Sequence, residues 1–160
     1  LALSPPRARY FLESELLTVI TDFIPAIGLT PEKNTRILEE IAAENGLLKE
    51  QAQGWHGFLH LTLQEYFVAQ YVIEHQQLDT MLQHRGDPWW EEVFLLYASR
   101  VADASLLLEQ LLGKSHPSTL QEDIFWTNLL LAGRCLATRP TIRKASLRHE
   151  ITSQLFQVLE

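Results

Sequence analysis

Apolar residues recur at three- and four-residue spacing along most of the chain, and the seven Pro and seven Gly fall mostly between those stretches. Phe11, Leu12, Leu16, Val19, Ile20 and Phe23 predict one amphipathic helix, opened by Ser4-Pro5-Pro6 and closed before Pro25. Thr30 and Pro31 supply a cap and a first-turn proline for a second helix, whose stripe of Ile37, Leu38, Ile41 and Ala42 runs to an Asn45-Gly46 stop. Leu47 to Glu50 and Trp55 to Leu59 read as the strands of a hairpin with a longer loop at Gln51-Ala52-Gln53-Gly54. This is the only strand pair the pattern supports. Thr62-Leu63-Gln64-Glu65 has capping-box spacing, in which hydroxyl and carboxylate satisfy two orphan amides, with Leu61 and Tyr66 as a staple. The helix it starts shows a Leu63, Phe67, Tyr71 row down to about Glu74, and Phe58, Phe67 and Tyr71 are assigned to the core.

Helix, helix, hairpin, helix is a winged-helix order, expected over residues 1–77. Residues 78–160 read as helices alone. Leu78 to His84 comes first, then Asp87-Pro88 capping Trp89 to Val101, then Asp103 or Ala104 to Leu112. Ser118-Thr119-Leu120-Gln121 opens a helix through Trp126 to about Thr138, and a last one starts near Thr141. Short links imply antiparallel neighbours, so the expected fold class is mainly α. It comprises a winged helix with a small β-hairpin followed by antiparallel helical hairpins, the start of a superhelical, HEAT-like region.

Composition narrows the function classes. The 160 residues carry a net charge of −7, and the first 123 hold 8 basic against 18 acidic residues, a net −10. Such a surface repels a phosphate backbone, and the second helix sets Lys33 and Arg36 against Glu32, Glu39, Glu40 and Glu44, the wrong balance for a major-groove reader. From Ile124 to His149 the balance reverses, with Arg134, Arg139, Arg143, Lys144 and Arg148 and no acidic residue. A helix-end and surface bias, or a partner-binding face, accounts for that run. One cysteine, no secretory leader and no apolar run near 18 residues point to a soluble, cytoplasmic protein without a membrane segment. The opening Leu1-Ala2-Leu3 reads as a segment of something longer.

No catalytic constellation emerges. Gly113-Lys114-Ser115 lacks the first glycine of a phosphate-binding loop, Leu108 standing in its place. His56 and His60 have zinc-like spacing without the other two ligands a tetrahedral ion needs. Glu39-Glu40 and Glu91-Glu92 are adjacent, so on a helix they diverge by about 100 degrees. Cys135 stands in an apolar helix with no histidine near it in sequence, which reads as a buried structural thiol. Of Trp89 and Trp90, at least one ring is expected in the core.

The stretch Phe58-Leu59-His60-Leu61-Thr62-Leu63-Gln64-Glu65-Tyr66-Phe67-Val68-Ala69 resembles the Phe-x-His-x-Thr-x-Gln-Glu-Phe/Tyr-x-x-Ala signature that follows the ATPase core in NACHT-domain proteins, of the STAND class of signalling ATPases. The helix and turn from Ile37 to Leu48 and the Asp87-Pro88-Trp89-Trp90-Glu91-Glu92-Val93 segment resemble its flanks in bacterial members. The resemblance covers about residues 30–100. It implies a winged-helix domain leading through a superhelical region to sensor repeats. For His60 it implies contact with the phosphates of bound ADP in the closed, inactive state. Thr62 and Glu65 would hold the helix start that positions it.

On this reading the chain is a regulatory module and not an enzyme, with no catalytic residue, no metal site and no cofactor of its own. ADP or ATP with magnesium belongs to the parent protein. The implied partners are an upstream ATPase core, downstream repeats and further copies of the parent on activation. A rival from another class is a nucleotide-free adaptor that recognises a protein through the basic distal helices or the Trp89-Trp90 region. A DNA-binding winged helix ranks third.

Overall fold

A computed structural model describes residues 10–28, 30, 33–113 and 125–159. Among them, one compact unit ends at Gln64 and a second begins at Glu65. That division falls earlier than the expected one near residue 77 and lies inside a helix. The described residues are mainly α-helical with one small antiparallel sheet, as the pattern predicts.

The first unit opens on β1 (Phe11–Leu12) and continues directly into α1 (Glu13–Phe23), closed by a 3₁₀ turn over Ile24–Ile27. Phe11 and Leu12 were expected to begin the helix. Instead they pair with His56 and Trp55, and Leu12 N–H donates to Glu15 Oε2 at 3.2 Å, so the helix takes over only at Glu13. Pro25 is the second residue of the 3₁₀ turn, and Gly28 at φ +76° terminates it. Ile24 is buried.

α2 (Asn34–Glu39) begins later than Thr30, with Lys33 at its N-cap and Asn34 Oδ1 accepting from Thr35 N–H at 2.6 Å. Pro31 and the Ser4-Pro5-Pro6 start lie outside the described residues. The helix widens into a π turn over Glu40–Glu44 and stops at Asn45, whose side chain and backbone N–H both donate to Glu40 O; Gly46 then takes φ +60°.

β2 (Leu48–Ala52) and β3 (Trp55–Phe58) form the hairpin. Its turn is tighter than expected, because the strand continues to Ala52 through an irregularity between Glu50 and Ala52, leaving Gln53-Gly54 to reverse the chain. Gly54 supplies φ +72°, which a two-residue connection demands, and its N–H donates to Glu50 Oε1 at 2.9 Å. The sheet order is β1-β3-β2, and strand, two helices and hairpin joined in that order give a winged helix with a third, two-residue strand.

α3 (Leu61–Glu74) starts one residue before Thr62, so Thr62 stands in the first turn and His60 directly precedes the helix. The capping box is not made. The buried face is also rotated from the expected row: Glu65, Val68, Ala69 and Val72 are buried, whereas Phe67 is 44% exposed and Phe58 and Tyr71 are only half-buried. Apolar residues surround almost the whole circumference of this helix, so spacing alone could not choose between adjacent faces.

The second unit continues with α4 (Leu78–Leu82), a 3₁₀ turn over Pro88–Trp90, α5 (Glu91–Arg100), α6 (Ser105–Leu111), α7 (Thr127–Ala137) and α8 (Ser146–Leu159). The Asp87-Pro88 cap forms as predicted, with Asp87 Oδ1 accepting from Trp89 N–H at 3.0 Å. Trp90 is fully buried and stacked on His84 at 4.3 Å, while Trp89 is half-buried. α7 packs against α5, α6 and α8, and Gly133 admits Leu155 closer than a Cβ would allow. α6 ends at a Gly113 turn with φ +72°, whereas the Ser118 capping box lies outside the described residues. The last helix begins at Ser146, after Ala104 N–H has bonded Thr141 O at 2.9 Å and tied the preceding segment to α6.

Two neighbouring leucines of α6 separate burial from chemistry. Leu107 is 1% exposed and Leu106 is 53% exposed. Leu107→Ala is expected to cost about 2–5 kcal/mol, Leu106→Ala no more than about 0.5 kcal/mol. Urea titrations of the two variants, monitored by far-ultraviolet circular dichroism, check this difference.

Candidate functional site

His60 occupies an exposed position between β3 and α3, its carbonyl accepting from Leu63 N–H at 3.0 Å. It therefore sits where the first amides of a fourteen-residue helix lack intrahelical partners, and where the helix dipole favours negative charge. Thr62 is exposed within that first turn. Glu65, expected to close the capping box, is buried instead, and burial together with the nearby Glu92 carboxylate raises its pKa. Of the three residues, His60 and Thr62 are exposed at the helix entrance, and Glu65 belongs with the second unit.

The first unit also contains a cavity of about 400 Å³ that no motif signalled. It lies between the start of α1, the α2–π segment and the sheet. Its wall carries His56 rather than His60, together with Glu13, Glu39, Glu50 and Lys49. His56 is the central-strand partner of both Phe11 and Glu50, which places its ring on the sheet face that also carries Leu48 and Phe58. Phe11 and Phe58 meet edge to face at 6.1 Å on that face. The ring of His56 is buried and its Nδ1 has no hydrogen-bond partner. A lone histidine between Trp55 and Gly57 gives no periodic signal of this, since it becomes visible only once β1 is known to pair on its far side.

Among the described residues no group of three or more His, Cys, Asp or Glu could hold an ion. Nor is any helix among them long and apolar enough to cross a membrane.

In the second unit the basic run is largely spoken for. Arg134 pairs with Glu91, Lys144 Nζ lies 2.6 Å from Glu109 Oε1, and Arg143 approaches Asp103 at 4.0 Å. Asp103 also accepts from the Ser105 hydroxyl and backbone N–H and from Arg143 N–H, which hold its carboxyl below the usual range. These are helix-tying contacts, worth little individually at exposed positions. Tyr66 and Arg100 form another such cluster, with the guanidinium 4.7 Å from the ring centroid and bonded to Gln70 Oε1.

Cys135 is fully buried, its Sγ 3.7 Å from Phe94 O, and burial pushes its thiol up to about 12. It has the environment of an inert core residue. Compared with known proteins, the chain matches no family model, no curated protein and no solved structure.

Two measurements follow from these ionisable groups. The Cys135 thiol should resist a disulfide reagent at pH 8 in the folded protein and react within seconds once the chain is unfolded in guanidinium. Glu65 has a raised pKa in the folded state, so its favourable contribution is present below the unfolded-state value and is lost as pH rises through the folded one. At pH 7 the ionised side chain is penalised. Glu65→Gln should therefore raise the thermal midpoint at pH 7, with a gain that shrinks towards pH 4, as read by circular dichroism melts across that range.

Proposed function

We propose that this chain is the regulatory winged-helix and adjoining helical segment of a NACHT-type, ATP-dependent signalling switch. The observation that carries the reading is the position of His60. It is the signature histidine of the resembling stretch, it is exposed, and it directly precedes the unpaired amides of α3. The sheet order β1-β3-β2 supports the winged-helix part of the reading, and the helices after Glu74 support the superhelical part.

In the whole protein His60 would donate an imidazole N–H to a phosphate oxygen of ADP, with the amides at the start of α3 adding dipolar attraction. The winged helix would thereby be held against an upstream ATPase core in the inactive state. Weaker preference of this segment for the ATP state would release it and free further copies of the parent to assemble. Magnesium and the hydrolytic groups belong to the upstream core. The second unit would link that core to C-terminal sensor repeats, in the cytoplasm.

A nucleotide-free adaptor is the second reading. It is favoured by one specific feature: Val19, Phe23 and Ile27 are exposed at four-residue spacing along α1 and the turn after it. The basic distal helices lend it less, because Arg134, Arg143 and Lys144 already face carboxylates.

The nucleotide content of the purified parent protein tests the choice. After denaturation, chromatography of the supernatant should show ADP with the wild type and little with His60→Ala, because loss of one hydrogen bond to a charged group weakens binding by roughly ten- to a hundredfold. Equal ADP in both would make His60 structural, and no nucleotide in either would put the adaptor ahead.

A further inference from the structure

The cavity beside the sheet has a chemistry opposite to that of the α3 entrance. Three acidic residues line it, Glu13, Glu39 and Glu50, against a single basic one, Lys49. Between them lie the apolar side chains of Leu38, Ala42, Ala43 and Leu48. Ala42 and Ala43 come from the π turn of Glu40–Glu44, a helix distortion that recurs at functional sites. The net negative wall disfavours a phosphate or other anion, and the carboxylates do not converge as metal ligands.

An independent observation comes from His56. Only 7% of it is exposed, it forms part of the cavity wall, and its Nδ1 has no hydrogen-bond partner. Among the described residues of the first unit it is the one buried side-chain nitrogen or oxygen left without a partner. A buried polar atom in that condition destabilises the fold unless something bonds it. In the neutral tautomer that carries its proton on Nε2, Nδ1 accepts a hydrogen bond, and in that form its unused capacity has the same sense as the carboxylates.

We propose that this cavity binds a guanidinium group. The assignment goes beyond the nucleotide reading and does not depend on it. A guanidinium has N–H donors and no acceptor, matching a wall of three carboxylates and one imidazole nitrogen. Its planar faces are weakly hydrated and can lie on Leu38, Ala42 and Ala43, whereas a compact ammonium would surrender more hydration there. Glu39 is exposed and Glu13 half-buried, and neither side chain is needed to cap a turn. Glu50 does cap one, through Gly54 N–H, and so contributes a carboxylate already held in place. The guanidinium can come from a free small molecule or from an arginine side chain of a peptide.

A titration of the 160-residue chain, followed by amide ¹H–¹⁵N spectra, separates these cases. The probes are agmatine, N-acetyl-arginine amide, an acetylated Ala-Arg-Ala amide, and the same tripeptide with neutral citrulline in place of arginine. The three guanidinium probes should shift amides of Leu38, Ala42, Leu48 and His56 with saturation at about 0.1–10 mM, a range ordinary for so few contacts. Citrulline should not. Glu39→Gln is expected to weaken binding about two- to fivefold, and Glu13→Gln with Glu39→Gln about tenfold. Both positions are away from the core, so unchanged dispersion in the spectra verifies the fold. A peptide that binds at least about tenfold more tightly than agmatine identifies an arginine side chain as the source; equal affinities identify a free guanidine. Shifts that citrulline reproduces, shifts confined to other residues, no saturation by about 50 mM, or affinity unchanged in the double variant would each overturn the assignment.

Discussion

A strand of four residues with neighbours on both sides sets the geometry of the first unit. β3 pairs with β1 through His56 and Trp55 and with β2 from Leu48 to Ala52, so Trp55 and His56 have strand neighbours on both sides. Alternation then places His56 and Phe58 on one face and Trp55 and Gly57 on the other. Phe11 is drawn onto the first face to meet Phe58 edge to face, which ends β1 after two residues and starts α1 at Glu13. Glu13 N–H in turn bonds Gly54 O at 2.9 Å, tying the helix start to the hairpin turn. A slip of one residue in β3 would reverse the faces, expose Phe58 and His56, and detach α1 from the turn.

The same strand explains why two histidines four residues apart have different surroundings. His56 lies in the ladder with a neighbour on either side and is buried. His60 comes after the ladder has ended at Phe58 and before α3 begins, so it is exposed. An anion is favoured by the amides at the second position, and a cation by the carboxylates around the first. Charge therefore separates the two candidate sites more decisively than residue type does, and a single ligand class cannot serve both.

Much of the architecture was legible because its signals were local. The Asp87-Pro88 cap, the Asn45-Gly46 stop, the hairpin around Gly54 and the burial of Trp90 and Cys135 each follow from one or two residues whose backbone or volume leaves few options. β1 was not legible, because Phe11 and Leu12 fit the helical spacing of Leu16 and Val19 equally well and are diverted by a partner more than forty residues away. The start of α3 failed for a related reason. Thr62 and Glu65 have the right spacing for a box, but the helix starts at Leu61, which puts Thr62 inside its first turn, and Glu65 is carried into the interior. The cavity was invisible for the same cause as β1, since it needs the start of α1, the π turn and the sheet together.

Reversal of charge along the chain has a structural use in the second unit. The acid-free stretch from Ile124 to His149 supplies Arg134, Arg143 and Lys144, and their carboxylate partners lie on α5, on α6 and just before it. Each pair is exposed or nearly so, and so contributes little to stability by itself. Their value lies in register: Ala104 to Thr141, Asp103 to Arg143 and Ser105 to Lys144 are successive bonds along one seam, fixing the approach to α8 relative to the start of α6. Buried apolar residues supply the driving force for α7 against α5 and α6, and this polar seam selects one alignment among those that would bury similar area. A linear sequence that segregates acid from base can therefore be specifying which helices lie side by side, with no external partner required to account for the segregation.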